Sequence, residues 1–200
     1  MAAVLTRMEL EEVARASVPD AAPMIGSRPG RIIRVWKDVE RDRRVTHKLE
    51  TDYLIVGAGA AAMAFTDELL THSDATVTIV DRRHAPGGHW VDAYPYVRLH
   101  QPSAFYGIDS VPLGQDRIDV TGTNAGFYEL AGVDEIRAYY ARVMEHQFLP
   151  SGRVRYFPSC EYRGEGVFDS ALTGDSWQVS VRRKVVDTTY LEGTIPATGA

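Results

Sequence analysis

The chain has 200 residues, with 22 Lys and Arg against 27 Asp and Glu for a net charge of −5; that length makes about one domain with a real core. Its 44% hydrophobic and 24% charged residues are ordinary for a globular chain. The single cysteine, Cys160, excludes an internal disulfide or a paired redox-thiol centre and fits a reducing compartment. No apolar run reaches the length of a membrane span, and Glu9, Glu11 and Glu12 stand where a signal peptide is apolar, so a soluble cytoplasmic protein is expected. Charge is uneven along the chain. Residues 26–50 carry eight basic against four acidic side chains, while residues 51–200 carry twelve against nineteen. An acidic main domain argues against a nucleic-acid-binding face.

Two parts are expected: an N-terminal extension over residues 1–50 and a dinucleotide-binding domain over residues 51–200. In the extension, Thr6-Arg7-Met8-Glu9 has the form of a capping box opening a short helix. Three prolines and two glycines between Ser17 and Gly30 read as a linker. Ile32, Ile33, Trp36 and Val39 then recur at helical spacing among seven basic residues, which describes either a solvated extension or a basic amphipathic helix.

The stretch from Asp52 to Asp81 organises the rest. Tyr53 to Val56 is a short apolar run ending at Gly57, as a buried parallel strand should. Helix formers fill Ala60 to Leu70, and Ala75 to Val80 is a second strand. Gly57, Gly59 and Ala62 fill the G-x-G-x-x-G/A pattern: Gly57 for the tight turn, Gly59 for close approach of a pyrophosphate, Ala62 for close packing of helix on strand. The amides of Ala60 and Ala61, opening the helix, then face the phosphates at the positive end of the helix dipole. Asp81, followed by Arg82, comes roughly twenty residues on, where an acid binds a ribose hydroxyl. A carboxylate there repels a 2′-phosphate, so FAD or NAD is favoured over NADP.

Beyond Asp81 runs a long aromatic-rich segment with little periodicity, whose aromatic content argues for function rather than disorder. Asp134 to Phe148 is predicted as a helix, with Ile136, Tyr140, Val143, Met144 and Phe148 on one face. Arg153 to Phe157 is predicted as a strand, able to lie parallel beside the first through a right-handed crossover. From Val167 the period is two, and Val167–Leu172, Trp177–Val181 and Val185–Tyr190 read as an antiparallel meander with turns at Thr173–Asp175 and at Arg182–Lys184. Thr194 to Ala197 reads as a further strand at which the sheet stops, so the domain is expected to be incomplete at its C-terminus. The fold class expected is therefore α/β: a Rossmann-like FAD-binding domain with a parallel sheet and a β-meander insertion.

Three features together resemble the two-dinucleotide-domain flavoproteins, and most closely the class B flavin monooxygenases. They are the fingerprint with Asp81, the Gly87-Gly88-His89-Trp90 segment followed by Tyr94-Pro95 and Arg98-Leu99-His100, and the closing Ala197-Thr198-Gly199. The resemblance implies that Gly87, Gly88, His89 and Trp90 line an FAD and that Arg98, Leu99 and His100 lie near its flavin end. It implies an FAD-dependent oxidoreductase, monooxygenase-like, taking hydride from NAD(P)H and acting on a small-molecule substrate. Departures are visible. Tyr96 stands where Baeyer-Villiger relatives usually have glycine, His100 where they often have aspartate, and Phe105-Tyr106-Gly107 opens their F-x-G-x-x-x-H signature without its histidine. A second glycine fingerprint for NAD(P)H is also missing, so that co-substrate would bind a region outside these residues, and the 200-residue chain alone is expected to be inactive. Two other readings stay open: a single-domain NAD-dependent dehydrogenase, which lacks a Tyr-x-x-x-Lys pattern here, and a non-catalytic nucleotide-binding module. His84, His89 and His100 are too irregularly spaced to suggest a metal site.

Overall fold

The computed structural model describes residues 47–189. The readings of a short N-terminal helix, a linker and a basic amphipathic stretch, the strand from Thr194 and the Ala197-Thr198-Gly199 triplet lie outside the described residues. The fold is α/β. Strand β1 (His47–Val56) is followed by helix α1 (Ala60–His72) and strand β2 (Val77–Val80), and helix α2 (Val133–Val143) leads to β3 (Val154–Phe157), β4 (Cys160–Gly164), β5 (Val167–Ser170) and β6 (Ser176–Asp187). All six strands form one sheet in the order β3-β2-β1-β6-β5-β4. β1 takes in His47 to Glu50, residues assigned on sequence to the extension.

The parallel half is built as its apolar runs require. Tyr53 to Val56 lie in register with Val77 to Val80, and all four residues of β2 are buried. Ile55, Val77 and Ile79 enter a core with Ala62 and Met63 of α1 and with Ile136, Tyr140, Val143, Met144 and Phe148. Every residue of the face assigned to the second helix is thus buried. The helical run itself changes character: after Val143 it continues as a π-helical turn, Met144–Phe148, and a short 3-10 turn, Leu149–Ser151, closed by Gly152 at φ +69°. Leu54 and Val80, on the other face, pack with Cys160, Phe168 and Val179 of the meander, where the Phe168 and Trp177 rings stack at 5.1 Å.

Three expectations are corrected. β3 lies beside β2, with Val77 opposite Val154, because the other edge of β1 is taken by β6. Strand β4, missed on sequence, supplies the first arm of a β4-β5-β6 meander. The basic triplet Arg182–Lys184 is not a turn, since β6 runs unbroken through it. The register slips there instead, so that Thr51 faces Val181 and Tyr53 faces Lys184. Such a bulge sets two residues against one, here Arg182 and Arg183 against Asp52. Arg182 grips the Asp52 carboxylate with Nε and Nη2, both at 3.0 Å, and donates Nη1 to Glu50 at 2.8 Å. A run of bases reads as a solvated turn only when no acid faces it.

Candidate nucleotide-binding site

A cleft of about 630 Å³ opens at the carboxyl ends of β1, β2 and β6, lined among others by Gly57, Gly59, Ala60, Ala61, Asp81, Arg82, Gly88 and His89. Ligands of open α/β sheets bind in this position, outside the carboxyl ends of the strands. Gly57 turns the chain off β1 at φ +96°, where only glycine sits without strain. Its N–H donates to the Val80 carbonyl at 2.8 Å. Gly59 is the N-cap of α1 and has no side chain to cap it, and the first turn carries no carboxylate. The opening amides of α1 are therefore presented to the cleft with their dipole uncompensated, the arrangement that favours an anion. Ala62 is fully buried, as close helix-on-strand packing requires.

A second glycine loop backs the first. The Gly87 N–H donates to the Ala58 carbonyl at 2.8 Å. Gly88 sits at φ +60°, and a Cβ there would lie only 2.8 Å from the Cα of Gly59. The two turns are thus in backbone contact, and a side chain is excluded at Gly88. Trp90 follows in a 3-10 turn, Gly88–Asp92, half-buried against the core, with its ring centroid 4.8 Å from that of His89.

Asp81 ends β2 at the expected place but is only 4% exposed. One carboxylate oxygen accepts the Ala58 N–H at 2.5 Å and the other the Arg83 N–H at 2.7 Å. It thereby ties the phosphate turn to the tip of β2. Arg98, Leu99 and His100, expected near the flavin end, are not among the residues lining this cleft. Arg98 lines a separate cavity of about 390 Å³ with Ser103, Leu113, Glu129 and Tyr139, Leu99 is buried in the core, and His100 is exposed, edge-on to the Tyr106 ring at 6.3 Å.

Sequence reasoning missed several residues that build the cleft. Arg137 of α2 donates to three carbonyls of the Gly-Gly-His-Trp segment and its exit: Trp90 at 2.8 Å, Val91 at 2.8 Å and Ala93 at 3.1 Å. Nothing in its helical context signals that reach. Cys160, Glu161, Tyr162, Asp187, Thr188 and Thr189 complete the lining. They come from the meander and the end of β6, and a missed β4 concealed them. Burial pushes the Cys160 thiol up from its ordinary value, away from the thiolate that reactivity needs. Among the described residues no group of three His, Cys, Asp or Glu side chains is disposed to hold a metal, and no helix is long and apolar enough to cross a membrane.

Residues 55–101 match the family described as an NAD(P)-binding Rossmann-like domain. An uncharacterized protein of Mycobacterium tuberculosis is 54% identical over 149 residues, which cover 74% of this chain and 28% of that protein. The chain thus spans 28% of the length of the curated relatives it matches. Among solved structures, a cyclohexanone monooxygenase from Rhodococcus sp. Phi1 bound to NADP+ is similar at 19% identity and a TM-score of 0.49, over 76% of this chain and 28% of that one. A flavin-containing monooxygenase from Stenotrophomonas maltophilia is similar at 19% identity and a TM-score of 0.47, over 70% and 38%.

Proposed function

We propose that the NAD(P)-binding Rossmann-like domain carried by this chain serves FAD, as part of a monooxygenase-like oxidoreductase that takes hydride from NAD(P)H. The observation that carries the reading is the pair of glycine turns in backbone contact at Gly59 and Gly88, set beside the uncapped start of α1. A pyrophosphate needs both a close backbone approach and unpaired N–H groups, and the cleft offers them at one point. The Gly-Gly-His-Trp segment that supplies Gly88 is the part of the chain most specific to flavoproteins of the resembling class.

This chain's residues bind and orient. Gly57, Gly59 and the amides of Ala60 and Ala61 receive the pyrophosphate, and Ala62 keeps α1 close to the sheet. Asp81 fixes the turn through the Ala58 N–H, Arg82 flanks it at the cleft edge, and Gly87 and Gly88 close the floor. His89 and Trp90 continue from there along the cofactor, with Arg98, Leu99 and His100 assigned to the region nearer its flavin end. Bound FAD would supply hydride acceptance and, once reduced, reaction with dioxygen; the protein's share is position and electrostatics. NAD(P)H would be held by a region beyond these residues, the substrate is a small molecule, and the compartment proposed is the cytoplasm. Heat-denaturing the purified full-length protein and chromatographing what it releases tests the reading. FAD is the expected product, and NAD alone or FMN alone contradicts it.

A further inference from the structure

The cavity of about 390 Å³ that Arg98 lines shares no lining residue with the nucleotide cleft, and a volume of that order suits a small organic molecule. One wall is a face of α2, where Glu135, Ala138, Tyr139 and Arg142 recur at the spacing that stacks side chains along a helix. Arg98 joins it from the segment bridged to Gly132, the N-cap of α2. Asp119 and Glu129 complete the charged lining. Buried Ser103 steadies the Glu129 segment, its Oγ donating to the Glu129 carbonyl at 2.9 Å and accepting the Ala131 N–H at 2.8 Å. Two guanidiniums and three carboxylates thus face one space, and among the described residues none of the five pairs with another. The carboxylates are anchored by other donors: Glu129 Oε1 accepts the Gln115 N–H, Glu135 Oε2 the Gly132 N–H at 2.7 Å, and Asp119 Oδ2 the Asn124 amide at 2.8 Å. The second oxygen of each has no partner among the described residues. Arg142 lies over the Tyr139 ring, 5.9 Å from its centroid, and neither its guanidinium nor that of Arg98 has a hydrogen-bond acceptor among the described residues. Both arginines are exposed, so a ligand can reach them from solvent.

We propose that this cavity binds a small zwitterion with an apolar body, of the α-amino acid class, its carboxylate on the guanidiniums of Arg98 and Arg142 and its ammonium on the open oxygens of Glu129 and Glu135. A plain anion would be drawn by two arginines and opposed by three acids, and a plain amine would meet the reverse; a zwitterion answers both sets of charges at once. Leu113 and Tyr139, each 3% exposed, give the apolar body a wall to pack on. The assignment does not depend on the dinucleotide reading of the cleft.

Calorimetric titration of the full-length protein with L-leucine, with isocaproate, which lacks the ammonium, and with isoamylamine, which lacks the carboxylate, tests this. L-leucine should bind about tenfold more tightly than either, the scale of one charge-assisted hydrogen bond. Ala138→Phe, at an exposed position of α2, puts a ring into the cavity and should abolish binding. Arg142→Gln should lower the affinity for L-leucine by about tenfold and leave that for isoamylamine unchanged. Both variants are checked for fold by circular dichroism, and either one alone suffices if the other does not fold. Isocaproate or isoamylamine binding as tightly as L-leucine overturns the zwitterion class. Undiminished L-leucine binding in folded Ala138→Phe or Arg142→Gln, or no saturable binding to the unaltered protein, overturns the site.

Discussion

The β1-α1-β2 unit and the segment from His84 to Ala131 meet at Gly59 and Gly88, yet they are held in opposite ways. The first is held by backbone: parallel ladders in register and a helix whose buried face packs on Ile55, Val77 and Ile79. The second has two short 3-10 turns and two isolated bridges, Arg98 with Gly132 and Ile118 with Tyr128. Scattered backbone bonds, such as Leu99 N–H to Ala131 and Ser103 N–H to Glu129, are supplemented by side chains of other elements. Arg137 holds Trp90 to Ala93, and the Tyr139 hydroxyl accepts the Ile108 N–H at 2.6 Å and donates to Val111. The Tyr140 hydroxyl donates to Tyr106 at 3.1 Å. Buried Asp67 of α1 accepts from both Ser110 N and Oγ, and from Gln147. An aperiodic loop can therefore be ordered well enough to shape a site, provided a neighbouring helix spends its polar groups on the loop's backbone. Burial pushes the phenols of Tyr139 and Tyr140 up from their ordinary value, chiefly through desolvation. Both stay protonated donors across the physiological range.

The contrast can be broken from either side. Ile55→Ala, in a fully buried position of β1, should cost about 2–5 kcal/mol of global stability, read as a lower urea midpoint for the whole domain. Arg137→Ala should cost about 1–3 kcal/mol, the scale of lost bonds from a charged donor, and the loss should be local. Amide exchange of residues 88–93 should rise while the strands keep their protection. A uniform rise across the sheet would show that the loop and the βαβ unit form one cooperative unit.

The smallest effect is electrostatic and belongs to the parallel half alone. The Arg182 guanidinium, with help from the Thr76 N–H, holds the Asp52 carboxyl well below the usual carboxylate range. A carboxylate depressed in the folded state contributes stability that is complete above its ordinary pKa of 3.8 and drains away as pH falls below it. Arg182→Gln should flatten that acid limb, measured as urea midpoints at pH 7 and pH 3, and should leave the neutral-pH cleft unaltered. An acid limb identical in the variant would place the proton-linked stability elsewhere.

The same contrast explains what could be read from residues alone. Val77 to Val80 and the buried face from Ile136 to Phe148 were legible because period and burial are written locally. Gly57, Gly59 and Ala62 were legible because each glycine or alanine answers a steric demand a few residues away. The neighbour of β3, the strand at Cys160–Gly164 and the bulge at Arg182 were not, since each is settled by a partner far along the chain: β6 on the free edge of β1, β5 opposite β4, Asp52 opposite the arginines. Arg137 and Asp67 were illegible for the same reason. Their helices look ordinary, and their partners lie far along the chain, 44–47 residues away for Arg137 and 43 and 80 for Asp67. Arg98 shows the converse, a motif residue whose neighbours in sequence say little about the cavity it lines.

Gly59→Ala tests most directly whether the paired glycine turns hold a pyrophosphate. Gly59 has φ −82°, which any residue adopts, and a Cβ there would meet Gly88 Cα at 3.5 Å, an ordinary contact. The variant should fold with little change in Tm, yet its methyl group would stand at the cleft wall where the phosphates must approach. Titration of the full-length protein with FAD should show affinity lower by roughly tenfold or more, about 1.4 kcal/mol. Unchanged FAD affinity in a folded Gly59→Ala variant would contradict a pyrophosphate seated on these two turns.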